Sequence, residues 1–474
     1  MSDHSATLCL GLAPASLRIA RRHPALRPTG KARILRPALR LEDTDSRAFA
    51  AAGWLCAGWQ DDSIHRQETI PVAGVASLPA PALGGAMEIL AAGAAEIAAV
   101  SVDHDGHAIA VQFRRLRLVR GDREEQAAEI LLSAAPGDDA ALTGLAQQLC
   151  RDLPLFWTGT PALVPLAAAL EIIEPPPLRA GSIPFDIDDG ATAAAACRTI
   201  IRHCLAQFDG NIQPVLRDRD SEGVHQMRVA LRRLRSALDI FSGLLPAEET
   251  AAVVEELRWL NEPLGRKRDL DVFIAETLAP LSRAIADAKG MKHLALVLDD
   301  RRSAAQAALV SALTSARCAR LRLALDALPG LLQDDGDLPA VNFAAAMLKE
   351  RRKKVKKLGR AHDSLDIPAL HRLRIRAKKL RYAAEFFRPL FARRNSKRFI
   401  AALSQLQDCL GALNDADVGS HLVRDVVGQP GSDPTAAAII AWFAGRQQSQ
   451  LDHLGDAWKA FDDIRPFWKA ALKD

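Results

Sequence analysis

Cations and hydrocarbon are sorted onto opposite sides of two predicted helices, 146 residues apart and in one register. In His225–Phe241, with His225 set at zero, Arg228, Arg232 and Arg235 fall at about 300°, 340° and 280° around a helix of 100° per residue. Met227, Leu231, Leu234, Leu238 and Phe241 fall between about 160° and 240°, which is the arc that packs. His371, Arg374, Lys378 and Arg381 repeat the cationic stripe, and Leu373, Ala377, Leu380, Ala384 and Phe387 repeat the apolar arc. The register persists downstream, pairing Leu264 with Leu410, Gly265 with Gly411, Asp269 with Asp415 and Asp271 with Asp417. A duplicated helical unit accounts for this.

A solvated helix face is the competing explanation for any one such stripe. A face built for solubility interleaves both signs and gains i, i+4 pairs, whereas these stripes repel themselves. From Lys349 to Arg381 there are fourteen Lys or Arg against three acids. Such crowding costs stability unless an anion resides there. Arginine makes paired, charge-assisted bonds to phosphate oxygens. Several on each of two facing helices suit a polymer of phosphates, since each contact releases counterions. Lys349–Lys357, with Arg352, Lys353 and Lys356, offers a third basic wall, or else an exposed tract.

The 474 residues are enough for two or more domains. The net charge of +5 is modest, so local clustering rather than overall balance implies an anionic partner. Seven scattered cysteines without a C-x-x-C pair imply reduced thiols in a cytoplasm and argue against a zinc ribbon. No apolar run of membrane-spanning length and no signal start is found.

Residues 1–172 read as a β-rich domain. Thr7–Leu12, Ile64–Val72, Glu96–Asp103, His107–Val119 and Glu129–Leu132 are predicted strands, with a hairpin at His104–Gly106, and Asp139–Asp152 is a predicted helix. Residues 173–184, with Pro175–Pro177, are a linker favouring an extended spacer. Residues 185–474 carry helical periodicity throughout, in units of about 185–330 and 331–474. Breaks are expected between Asn261 and Val272 and between Leu413 and Ala416. The fold class is α+β multidomain.

The repeats His225-x-x-Arg228-x-x-x-Arg232-Arg233-Leu234-Arg235 with Leu264-Gly265-x-x-Arg268-Asp269-x-Asp271, and His371-x-x-Arg374-x-x-x-Lys378-Lys379-Leu380-Arg381 with Leu410-Gly411-x-Leu413-Asn414-Asp415-x-Asp417, resemble the CHAD domain, the conserved histidine α-helical domain. That resemblance implies two pseudo-symmetric helical bundles around a basic channel that binds inorganic polyphosphate, with a phosphate-rich granule as one location. Carried over residue by residue, the ligand contacts are His225, Arg228, Arg232, Arg235, His371, Arg374, Lys378 and Arg381. Arg233 and Lys379, at about 80° on the wheel, are placed at the channel rim. Arg268, Asp269, Asp271, Asp415 and Asp417 are read as structural residues, with Asp269 and Asp415 orienting arginines of the stripes, because two acids without His or Cys neighbours make a poor metal site. The histidines are either structural or ligand donors that tighten binding below about pH 6.5. A metal role is disfavoured by the surrounding cations.

The first 172 residues faintly resemble a CYTH triphosphate-tunnel domain, through Leu41–Gly53 and the hairpin ending near Glu129. Where that family alternates Glu-x-Glu-x-Lys, this chain has Thr7-Leu-Cys9-Leu-Gly11. Where an Arg-rich strand belongs, it has Trp54–Trp59. Without paired carboxylates there is no Mg²⁺ site, so a degenerate, noncatalytic domain without cofactor is expected. Arg114, Arg115, Arg117 and Arg120 read as a solvated strand edge. A metal-dependent triphosphatase and a nonspecific nucleic-acid binder remain as alternatives. The scarcity of aromatics among the cations disfavours single-strand stacking.

Overall fold

The computed structural model describes residues 6–44, 54–60, 65–72, 87–284, 288–332, 338–360, 365–427, 439–445 and 453–469. At 6, 44, 65, 284, 288–290, 367 and 412–427 it describes the backbone alone. The described residues form an antiparallel sheet followed by a helical region. The strands are β1 (Ala6–Leu12), β2 (Arg33–Leu35), β3 (Ala38–Thr44), β4 (Trp54–Gln60), β5 (His65–Pro71), β6 (Met87–His104), β7 (His107–Arg120), β8 (Arg123–Ala134) and β9 (Phe156–Trp157). They are ordered β5-β4-β3-β6-β7-β8-β1-β9, with β2 beside β6. The hairpin between β6 and β7 turns on Asp105 (φ 54°) and Gly106 (φ 83°). Positive φ at both central residues matches the right-handed twist of the flanking strands.

The alternation in β7 changes phase midway. Ile109, Val111 and Phe113 are buried on one face against α1 (Asp139–Asp152) and the helical region, whereas Leu116 and Leu118 are buried on the other. That second face packs on Leu39, Leu41, Leu55 and Trp59, and α2 (Leu163–Ala169) lies across it. Glu129, fully buried, fixes α2 by accepting the Ala162 N–H (2.9 Å) while Arg114 reaches its other oxygen (3.4 Å). A carboxylate at a helix start is stabilised by the exposed amides there. Burial nonetheless pushes its carboxyl pKa up.

The edge expected for the four arginines is not there, because β7 lies between β6 and β8. Arg114 and Arg115 donate to Gln112 and Gln126, Arg117 pairs with Glu124, and Arg120 donates to the Leu170 and Glu171 carbonyls. Of the four, Arg114 and Arg117 meet cross-strand carboxylates on β8, Glu129 and Glu124, which a one-strand reading does not show.

The helical region comprises α3 (Ala193–Asp209), α4 (Ile212–Arg217), α5 (Glu222–Ile240), α6 (Ala247–Phe273), α7 (Ala288–Leu313), α8 (Ala316–Ala327), α9 (Ala340–Gly359), α10 (Ile367–Phe386), α11 (Arg393–Val427) and α12 (Leu454–Asp463). Thr192 caps α3, and Asp366, with Pro368 just inside, caps α10. The breaks expected after Asn261 and Leu413 are absent. α6 runs on through Pro263 into a wider turn at Ile274–Leu278, and α11 is continuous. Proline costs one backbone bond, and packing of Leu257, Leu260 and Leu264 outweighs it.

One hydrophobic cluster joins the sheet's first face to the helices. Trp157 donates to Asp209 (2.8 Å), and Arg322 on α8 grips the same carboxylate while lying 4.6 Å over the Trp157 ring. The proline-rich segment carries neither helix nor strand and is pinned at its end: Asn211, fully buried, accepts from the Leu178 N–H and donates to the Leu178 carbonyl.

Candidate functional site

The stripe helices α5 and α10 pack side by side. Arg232 Nε donates to the Tyr382 hydroxyl across the pair (3.1 Å), and Phe241 meets Phe387 edge-on at 6.0 Å beyond the ends of the two helices. His225, Arg228, Arg232, Arg235, Arg374, Lys378 and Arg381 are half-buried, so their charges sit in a partly desolvated setting where fields act more strongly. His371 is exposed. α6 runs alongside α5 and brings up two more groups. Arg228 donates to Asp269 and to the Gly265 carbonyl, both at 3.0 Å. Arg268 stands near enough to His225 to act on its titration. Sequence reasoning placed Arg268 among the structural partners; its position makes it a further cation of the stripe.

Along the stripe faces of α5 and α6 the described acids do not cancel the positive charge. Among the described residues, Arg232, Arg235 and Arg268 make no ion pair, Arg228 shares Asp269, and Arg381 lies 3.6 Å from Glu385. Asp415 and Asp417 have side chains outside the described residues. Burial, then Arg268, pushes the His225 pKa from its ordinary 6.5 down to about 4. The transition expected near pH 6.5 is therefore displaced in the unliganded protein, because a second positive charge here would be both desolvated and repelled.

Known proteins resemble the chain over this region. The CHAD domain family model matches residues 199–424, which contain both stripe helices and α6. This part of the chain is a CHAD domain. The crystal structure of the CHAD domain from the plant Ricinus communis superposes with a TM-score of 0.53 at 29% identity, covering 60% of this chain and 97% of that one. The uncharacterized protein Rv2226 of Mycobacterium tuberculosis is 29% identical over 216 residues. That match covers 44% of this chain and 41% of the mycobacterial protein's length.

Within the CHAD domain, several cations named from sequence lie away from the stripes. Arg233 is buried: it donates to Gln207 (2.8 Å), contacts His203 Nδ1 (2.9 Å) and lies over the Phe386 ring. It is not at a channel rim, because α3 covers that side of α5. The same contact, after burial, helps push the His203 pKa to about 4. Lys379 pairs with Asp239 (3.1 Å), on a face of α10 turned away from Arg374 and Lys378. Arg352 donates to the Asp462 and Ile464 carbonyls, and Lys356 pairs with Asp462 (2.6 Å), so both fasten α9 to α12 instead of walling a channel. Lys353 is exposed on α9 without an ion pair among the described residues.

Asp271 holds no stripe arginine. It accepts two bonds from Lys267 (2.8 Å each) and one from Arg302 (2.9 Å), and Asp218 pairs with both cations. Lys267 is wholly buried and Asp271 nearly so. This balanced quartet ties α6 to α7 and to the end of α4. Its members lie 31 to 84 positions apart except for Lys267 and Asp271, which left only an i, i+4 pair for sequence to show.

Proposed function

We propose that the CHAD domain binds inorganic polyphosphate, without chemistry, along the cleft that α5, α10 and α6 line. The observation that carries this is the Arg232–Tyr382 hydrogen bond, which fixes the two cationic helices against each other, while Arg232 and Arg235 on α5 make no ion pair among the described residues. Arg228, Arg232, Arg235 and Arg268 would contact successive phosphates from one side, and Arg374, Lys378 and Arg381 from the other. Asp269 aims Arg228. We take the two units to be related by a pseudo-two-fold axis. Phe241 meeting its repeat counterpart Phe387 supports it, as does the reciprocal pair Ala193 N–H to Leu338 O and Ala340 N–H to Ala191 O.

His225 would act as a proton-coupled contact. Its unliganded pKa lies near 4, and a polyanion beside it would raise that value. Binding then takes up a proton, so affinity rises as pH falls toward 5. Titrations of long-chain polyphosphate should show the wild-type advantage over His225→Gln growing severalfold from pH 7.5 to 5.5; a constant ratio would assign His225 a structural role.

The amino-terminal half we read as a degenerate, noncatalytic relative of the CYTH fold. α2 and the leucines of β3 and β7 fill the sheet face where a tunnel would lie, and Glu129 is spent on holding α2. Phosphate released from tripolyphosphate with Mg²⁺ or Mn²⁺ by the full chain would overturn this part. A cytoplasmic, granule-associated location belongs to the same proposal; among the described residues no helix is long and apolar enough to cross a membrane.

A further inference from the structure

α9 and α10 enclose a second site on the far side of α10. A half-open cavity of about 630 Å³ lies between them and the end of α5. On the α10 wheel its residues Ile375, Lys379, Arg372 and Arg376 fall at about 40°, 80°, 100° and 140°, whereas the stripe occupies about 280° to 360°. The cavity is therefore separate from the polyphosphate cleft. Its size is that of a pocket for one small organic molecule.

The lining has two chemistries. Phe343, Ala346, Met347 and Ile375 give it apolar walls, and Ile375 is 43% exposed. An isoleucine left that far in water on a basic helix is a cost that an apolar ligand would remove. Around these walls stand five cations, Arg351, Lys354, Arg372, Arg376 and Lys379, against two carboxylates, Asp239 and Glu350. Asp239 is taken by Arg351 (2.6 Å) and Lys379 (3.1 Å), and Glu350 lies 3.5 Å from Lys354. Arg376 donates to the Lys354 carbonyl. Arg372, exposed at the mouth, makes no ion pair among the described residues.

We infer that this cavity is a binding site for a small amphipathic anion, an alkyl or acyl chain carrying a phosphate or carboxylate head. A phosphate polymer would leave the apolar walls unused, and a neutral apolar molecule would leave the excess charge unanswered. The chain lies on Phe343, Met347 and Ile375, and the head meets Arg372 and Arg376. Both phosphate and carboxylate heads satisfy an arginine fork.

Calorimetric titration of the full chain with decyl phosphate, kept below its micelle concentration, tests this, with decanoate, decanol and inorganic phosphate as comparisons. Saturable binding of decyl phosphate or decanoate is expected, at least tenfold tighter than that of decanol, with none for inorganic phosphate at this site. Ile375→Glu and Arg372→Glu, both at exposed positions where folding is preserved, should each weaken the amphiphile at least tenfold and leave polyphosphate affinity within twofold. Absent or nonsaturable amphiphile binding overturns the inference. So does decanol binding as tightly as decyl phosphate, equal binding by wild type and both variants, or loss of polyphosphate binding in Ile375→Glu.

Discussion

Reversing both Arg232 and Arg235 to glutamate is expected to weaken long-chain polyphosphate binding at least a hundredfold near 0.1 M salt while moving the melting temperature by only a few degrees. The two side chains sit midway along the α5 stripe, and neither is held by a described carboxylate. Each charge-assisted contact to phosphate contributes about 1.5–3 kcal/mol, so losing two removes about 3–6 kcal/mol, and repulsion by the new carboxylates adds to that. The salt dependence should fall too. With a slope of about 0.7 per neutralised charge for a single-stranded polyanion, the log–log slope should drop by roughly 1.4. Fold is spared because, among the described residues, Arg232 hydrogen-bonds only the Tyr382 hydroxyl. Unchanged affinity with a native melt would remove the stripe from the ligand site.

The second large effect concerns folding. Replacing Lys267 by methionine should cost about 3–5 kcal/mol, the usual penalty for breaking a buried ion pair from one side. It leaves Asp271 and Asp218 facing Arg302 alone, two negative charges on one positive, with Asp271 buried. Changing Asp271 to leucine in the same chain should recover a good part of that loss, because Arg302 and Asp218 then remain as a balanced pair. Denaturant melts of the two variants give the comparison. A double variant less stable than Lys267→Met would show that Asp271 contributes independently of the lysine.

What could be read from the sequence follows from the range of the interactions concerned. The stripe helices, the β6–β7 hairpin and α1 depend on neighbours within a turn or two, and periodicity shows them. Arg233 and Lys379 share one wheel angle yet have different fates, one beneath α3 beside Gln207 and the other at a cavity with Asp239. Only the third dimension distinguishes them. Strand β4 escaped because its Cys, Ala and Gly carry little alternation, β3 offers only Leu39 and Leu41 as an alternating pair, and the phase change in β7 mixes two buried faces in one strand. The break expected after Asn261 was overridden by tertiary packing, which carries α6 through Pro263. Arg268 was legible as part of the repeat, but its place beside His225 required the helix to continue through that proline.

Displacement of labelled duplex DNA from the full chain by long-chain polyphosphate, at matched salt and matched phosphate concentration, tests the central claim most directly. The proposed polyphosphate site on α5 and α10 predicts that polyphosphate displaces the label at phosphate concentrations at least tenfold lower than unlabelled DNA does, and that Arg232→Glu/Arg235→Glu abolishes this preference. Equal displacement by both polymers, or a preference that survives the double reversal, would contradict it.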